Sequence, residues 1–296
     1  MRRISRSARH LVAGSISAAL LAACNNSTSP NAVVTQAEAN AVAEVVATDA
    51  ASLSAGATFN GSTGTPFAVS PMMGAPVMPA TTASCTPTKS PASPTNSDGD
   101  PVPDSVRVDF AGCTFTNGSF TATLSGTIDF IDPTPTVTDM ALKTRATDFT
   151  RTFTNTATGQ TRSAVENGVR WVAGSADQIS LADTLQTDYT FATGATASHV
   201  RKWASLFTAD QAGSIQIGSP LPSGTWSIAG SSTWTSGALS YSLSATTSQP
   251  LHFNASCTVD PRFDSGTLVI AVTKNSATSN VTIQFTACGQ YTVTRS

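Results

Sequence analysis

Residues Phe120 to Phe130 read FTATLSGTIDF, with Phe120, Ala122, Leu124, Ile128 and Phe130 set against Thr121, Thr123, Ser125, Thr127 and Asp129. A period of two gives a strand one buried and one wet face. The pattern returns where Leu239, Tyr241, Leu243 and Ala245 alternate with serines and threonines, and where Val281, Ile283 and Phe285 alternate with Thr282, Gln284 and Thr286. Further strands are expected over 106–111, 137–154, 160–173, 178–192, 196–207, 224–235, 250–257, 266–274 and 289–294, separated by Gly, Asn, Asp or Pro turns. No helices intervene, as a parallel sheet would require, so 106–296 is expected to be a mainly β domain: an antiparallel meander of about twelve strands. Its apolar faces can be buried by two stacked sheets, or by one sheet curving on itself or around a helix. The length of 137–154 and 178–192 favours a curved sheet or barrel-like fold.

Ahead of these strands, Thr35-Gln36-Ala37-Glu38 fits a capping box, in which the hydroxyl and the carboxylate satisfy each other's backbone amides. Ala37, Ala41, Val42, Val45, Val46, Asp49 and Leu53 follow at helical steps, and Gly56 stands where a helix would stop. A single helix is expected over 35–56. Its narrow Ala/Val stripe buries little area and must pack on something larger. Residues 57–105 are rich in Pro, Gly, Ser and Thr and read as a long loop, pinned by a disulfide in its second half. Met72, Met73 and Met78 within it could fill gaps in a core or line a ligand mouth.

The N-terminus is basic over residues 1–10, then apolar from Leu11 to Ala23, too short a run to span a ~30 Å hydrocarbon core. It ends Leu21-Ala22-Ala23-Cys24, which resembles the lipobox of bacterial lipoproteins. The resemblance implies a signal peptide over 1–23, acylation of Cys24, a lipid-anchored tether over 24–34 and attachment to the membrane. Asn25, in the place where Asp would direct retention, implies sorting to the outer membrane. Without residues 1–23 the chain keeps twelve basic against eighteen acidic residues, a formal charge of −6. No basic stripe is left for a nucleic-acid partner.

With Cys24 acylated, Cys85, Cys113, Cys257 and Cys288 remain, an even number suited to an oxidising compartment. Three connectivities are open, and proximity favours 85–113 with 257–288. In a three-strand meander Cys257 and Cys288 would stand ~9–10 Å apart across the middle strand, too far to bridge. The bond therefore requires one cysteine in a loop, or the first and third strands as neighbours; Cys257 is expected at the frayed end of its strand, where TVDPRFDSG can fold over. No short C-x-x-C pair points to zinc.

Catalytic signatures are missing from the sequence: no G-x-S-x-G, H-E-x-x-H, P-loop or dinucleotide fingerprint occurs. His199, beside Arg201 and Lys202, reads as part of a polar strand face, and His252 as a partly buried edge position. The expectation is a non-catalytic envelope protein with a structural or binding role. The alternative is a carrier of lipid or another apolar small molecule, on a concave face lined by Trp171, Trp203, Trp226 and Trp234; core packing is the other reading of those tryptophans. Such a carrier would be similar in architecture to half-barrel lipoproteins.

One stretch suggests a cation. Asn96 to Asp104, NSDGDPVPD, resembles the Asp-rich calcium loops of thrombospondin type 3 and dockerin-like repeats. The resemblance implies Ca²⁺ ligands at Asn96, Asp98, Asp100, the Val102 carbonyl and Asp104. The other reading is an acidic turn before the first long strand, kept extended by Pro101 and Pro103.

Overall fold

The computed structural model describes residues 34–56, 82–84, 87–100, 102–117, 120–216, 219–237 and 239–296. One helix, α1 (Gln36–Gly56), precedes the strands β1 (Thr82–Ser84), β2 (Thr88–Ser90), β3 (Ser105–Asn117), β4 (Phe120–Ile131), β5 (Met140–Asn155), β6 (Thr161–Gly174) and β7 (Gln178–Thr190). They continue with β8 (Thr196–Ala209), β9 (Gly224–Ser236), β10 (Leu239–Phe253), β11 (Phe263–Lys274), β12 (Ala277–Ala287) and β13 (Gln290–Arg295). All belong to one antiparallel sheet in which β3 to β13 lie in chain order, with β1 and β2 both paired to β3. The sheet curves but does not close into a barrel: among the described residues no pairing joins β13 to the β1–β3 edge.

The expected meander is therefore present, with differences that have local causes. The segments 239–245 and 250–257 are one strand, β10, ending at Phe253. Pro250 has no amide to donate, and the β10 register on both neighbours breaks around it without turning the chain. The long loop 57–105 contributes the short strands β1 and β2. Near the centre of β4 the register with β5 breaks: β4 skips Gly126 and β5 skips Asp148 and Phe149, and the β5–β6 register breaks beside it between Ala146 and Phe149. Gly126 is required there: a Cβ would lie 2.2 Å from the Asp148 carbonyl oxygen.

The helix lies on the inner side of the curve. Its buried stripe is Ala39, Val42, Ala43, Val46, Ala47, Ala50 and Leu53, so the expected face is rotated: Ala37 is exposed, whereas Val42, Val46, Asp49 and Leu53 point inward as read. Alanine contributes so little to a hydrophobic pattern that it cannot set the face, but its small size lets the helix approach the sheet closely. Across β8 to β13 the core is an aromatic row, from Trp226 and Phe207 (centroids 5.2 Å apart) through Phe253, Phe263 and Phe285 to Tyr291. These rings bury the largest apolar areas available to side chains and meet edge to face or tilted.

The capping box forms as expected. Glu38 accepts from the Thr35 amide at 2.8 Å and from its hydroxyl at 3.0 Å, and the Glu38 amide donates to Thr35 Oγ1 at 3.2 Å. The same carboxylate accepts from Lys274 Nζ at 2.6 Å and Tyr241 Oη at 3.0 Å, tying the helix start to β11 and β10. Burial pushes this carboxyl up, but the Lys274 ammonium and the donors from Thr35 and Tyr241 outweigh it and hold the pKa down at about 2. A lowered carboxylate pKa stabilises the fold above the unfolded value of 4.5 and ceases to do so as pH falls through about 2. Glu38→Gln should cost roughly 2 kcal/mol at neutral pH. In urea unfolding, its deficit against the parent should shrink between pH 4.5 and about 2.

Cys257 lies in the β10–β11 connection and Cys288 in the β12–β13 turn, with their Cα atoms 5.6 Å apart and a disulfide between them. The loop placement of Cys257 resolves the spacing problem across β11, and the Gly289 amide donates to the Pro261 carbonyl at 2.9 Å beside it. Cys113 is disulfide-bonded as well; its neighbour Thr114 pairs with Ser84, while Cys85 and Cys24 lie outside the described residues. Met72, Met73 and Met78 also lie outside them. The 257–288 bond closes a loop with a sequence separation of 31. Replacing both cysteines by serine should lower stability by about 3–4 kcal/mol in equilibrium unfolding.

Candidate functional site

Two groups of charged side chains stand out from a Thr/Ser-rich surface, one under the helix and one beside the sheet.

Under α1, strands β5 to β8 turn charge toward the core. The inward parity of β7 reads Ile179, Leu181, Asp183, Leu185, Thr187, and that of β8 reads Ala197, His199, Arg201, Trp203, Ser205, Phe207. Arg151, Glu166 and Arg170 occupy the same face of β5 and β6. His199 and Arg201 thus do not form an exposed polar face with Lys202: Lys202 is exposed, while the other two are 4% and 5% exposed. Asp183 accepts from Arg201 Nε at 3.2 Å and Nη2 at 2.8 Å, a diagonal bidentate pair across β7 and β8. It also accepts from Arg170 Nη2, directly opposite on β6, at 3.2 Å. The remaining arm of Arg201 reaches the helix, donating from Nη1 to Asp49 Oδ1 at 2.6 Å. Arg151 Nη2 donates to Glu166 Oε2 at 3.0 Å.

Three guanidiniums therefore face three carboxylates, and the buried charge balances. Burial alone would lower the Arg201 pKa, but the charges and hydrogen bonds of Asp49 and Asp183 raise it well above its ordinary value. His199 Nε2 stands 3.5 Å from Asp49 Oδ2. Burial and the Arg201 charge lower the His199 pKa against the pull of Asp49 and Asp183, so the imidazole is neutral at neutral pH. Burial pushes the Tyr189 hydroxyl up to about 12. Asp49, Arg151, Glu166, Tyr189, His199 and Arg201, with apolar neighbours and Trp234, line a cleft of about 30 Å³, room for one or two waters.

The four tryptophans do not share one concave surface. Trp203 and Trp226 are 3% and 0% exposed in the core, Trp234 stands at the cleft, and Trp171 is on the outer face beneath Lys143 Nζ. The other histidine, His252, is partly buried as read, between Asp264 (Nδ1 to Oδ1, 2.7 Å) and Asp210 (Nε2 to Oδ2, 2.9 Å), but it is not at an edge, because β10 is paired on both sides there.

The second group contains part of the NSDGDPVPD stretch. Asp98 and Asp100 converge with Asp132, which immediately follows β4, so that carboxylate oxygens of all three lie within 4.8 Å of one another. Gly99, at φ 81°, makes the turn between the first two. Asp139, just before β5, stands at the margin of the same group, and its charge acts on Asp100. Of the other three ligands implied by the calcium-loop resemblance, the Asn96 and Asp104 side chains are engaged differently. Asn96 Oδ1 accepts from the Gly99 amide at 2.7 Å, and its Nδ2 donates to the Asp100 carbonyl. Both Asp104 oxygens accept from Ser97 and Thr95. Val102 is 1% exposed in the core, its amide donating to Asp100 Oδ1 at 2.7 Å. Asp132 and Asp139 had no local signal, because they come from the β4–β5 connection and not from the loop itself.

No family model, curated protein or solved structure matches the chain.

The buried cluster makes a sharp energetic contrast. Asp183→Ala leaves two buried guanidiniums without their shared carboxylate and should cost roughly 3–5 kcal/mol. Arg107, 53% exposed in its pair with Asp129, should cost under about 1 kcal/mol on replacement by alanine. Chemical unfolding of the two variants side by side checks this.

Proposed function

We propose that the chain is a non-catalytic lipoprotein of the bacterial envelope, held at the outer membrane through acylated Cys24, with the curved sheet serving as a rigid structural scaffold. The observation that carries the scaffold reading is the filled inner face. The helix covers the place where an apolar ligand would lie, and the described cleft is small and lined by charges committed to one another. A carrier needs ~300–1,000 Å³ of largely apolar space, and nothing of that kind supports it among the described residues. Asp49, the carboxylate beside His199, is engaged by Arg201 and ties that corner of the cleft into the ion-pair set.

The anchoring part rests on the sequence Leu21-Ala22-Ala23-Cys24, preceded by a basic and an apolar segment. The helix begins at Gln36, a short tether away from Cys24. Among the described residues no helix is long and apolar enough to cross a membrane.

Expression in a Gram-negative host with labelled palmitate tests the anchor. The intact chain should take up label and sediment with outer membranes, whereas Cys24→Ser should be unlabelled and released by osmotic shock. An unlabelled, soluble intact chain would remove the reading. Native mass spectrometry after detergent-free extraction of Cys24→Ser tests the scaffold: a bare polypeptide mass is expected, and a stoichiometric bound lipid would replace the scaffold with a carrier.

A further inference from the structure

We propose that Asp98, Asp100, Asp132 and Asp139 form a calcium site that clamps the connection between β4 and β5 onto the loop preceding β3. Three of the carboxylates place oxygens within 4.8 Å of one another. Oxygens this close can share one hard cation, and carboxylates drawn from two loops suit the adaptable coordination of Ca²⁺ at 2.3–2.6 Å better than the strict octahedron of Mg²⁺. Every side chain in the group donates oxygen, with no His or Cys present, which selects a hard cation over zinc.

Each aspartate divides its two oxygens between tasks. Asp98 Oδ1 accepts from the Asp100 amide at 3.1 Å, Asp100 Oδ1 from the Val102 amide at 2.7 Å, and Asp132 Oδ1 from the Thr134 amide at 2.7 Å. Asp139 Oδ2 accepts from the Thr134 hydroxyl at 2.7 Å. These bonds fix the carboxylates in orientation, as outer partners do around a metal. The opposite oxygens, Oδ2 of Asp98, Asp100 and Asp132 and Oδ1 of Asp139, are buried with no hydrogen-bond partner. Asp100 and Asp132 are only 6% and 3% exposed.

This observation is independent of the clustering. A buried carboxylate oxygen facing other carboxylates, with no donor and no cation, is strongly unfavourable. None of the four forms an ion pair among the described residues. A divalent cation at the centre answers the Asp98, Asp100 and Asp132 oxygens at once, with the Asp139 carboxylate at its margin. The Thr138 hydroxyl, donating to the Asp98 carbonyl at 3.1 Å, already joins the two loops on which the ion would sit.

The donor set separates this site from a calcium loop contained in one segment. Asp132 and Asp139 are required and Asp104 is not a ligand. Chelator-treated protein is titrated calorimetrically with CaCl₂ and, separately, with MgCl₂, and its melting temperature is measured with each salt. One saturable Ca²⁺ event per chain is expected, with a weaker Mg²⁺ response and a higher melting temperature in Ca²⁺. Asp132→Asn and Asp100→Asn should weaken Ca²⁺ binding by at least about tenfold. In chelator they should melt no lower than the parent, because a like charge has been removed, and Ca²⁺ should no longer raise their melting temperature. Asp98→Asn, at the half-exposed edge, provides the same test if a buried substitution fails to fold. A flat Ca²⁺ trace with the intact protein, undiminished Ca²⁺ binding in Asp132→Asn, or Mg²⁺ binding as tight as Ca²⁺ would each overturn the assignment.

Discussion

Arg201 on β8 donates to Asp49 on α1 at 2.6 Å across 152 residues of sequence, while its other side grips Asp183 on β7. The fold depends on this contact because an open sheet offers no closure to fix its curvature, and its apolar face must be covered by something. The cover is a helix whose buried stripe is mostly alanine, which packs closely but buries little per residue. Directional charge pairing supplies what the alanines do not: a definite position along and around the helix axis. Removing any one partner would leave the others buried without their counter-charge, so the pairs hold together as a set.

The helix is fixed at two places by different chemistry. At its start, Glu38 serves both as cap and as tie to Tyr241 and Lys274, so the local helix signal and the tertiary contact share one carboxylate. Further along, Asp49 meets the charged inner patch of β5 to β8. On the β8 to β13 side, the row of aromatic rings provides the apolar mass. Capping, ion pairing and ring packing thus divide the inner face among them.

Aspartate plays opposite parts in the two charged groups. Asp183 is buried among guanidiniums that satisfy both of its oxygens. Asp100 and Asp132 are buried among other carboxylates, each with one oxygen held by an amide and the other without a donor. The first arrangement satisfies its carboxylate with cations already in place, whereas the second has the charge and orientation of a ligand set. The same residue type is a lock in one place and a proposed cation ligand in the other, and only its neighbours distinguish the two.

Period-two alternation in FTATLSGTIDF and its counterparts was enough to determine an antiparallel β meander, because side-chain direction along a strand follows from backbone geometry alone. The T-x-x-E box likewise marked the helix start, since its hydrogen bonds close within four residues. Spacing across a central strand ruled out two cysteines opposite each other in a meander, and Cys257 is found beyond the end of β10, in the loop. Charge at apolar parity in 179–187 and 197–207 was visible in the sequence as well, and could have marked Asp183, His199 and Arg201 as inward-facing. What tertiary structure decided was pairing between distant segments: which helix face meets Arg201, that β10 passes through Pro250, and that Asp98 and Asp100 meet Asp132 while Asn96 and Asp104 turn away. Such choices depend on sheet register and loop closure, which bring together residues whose local sequences carry no information about each other.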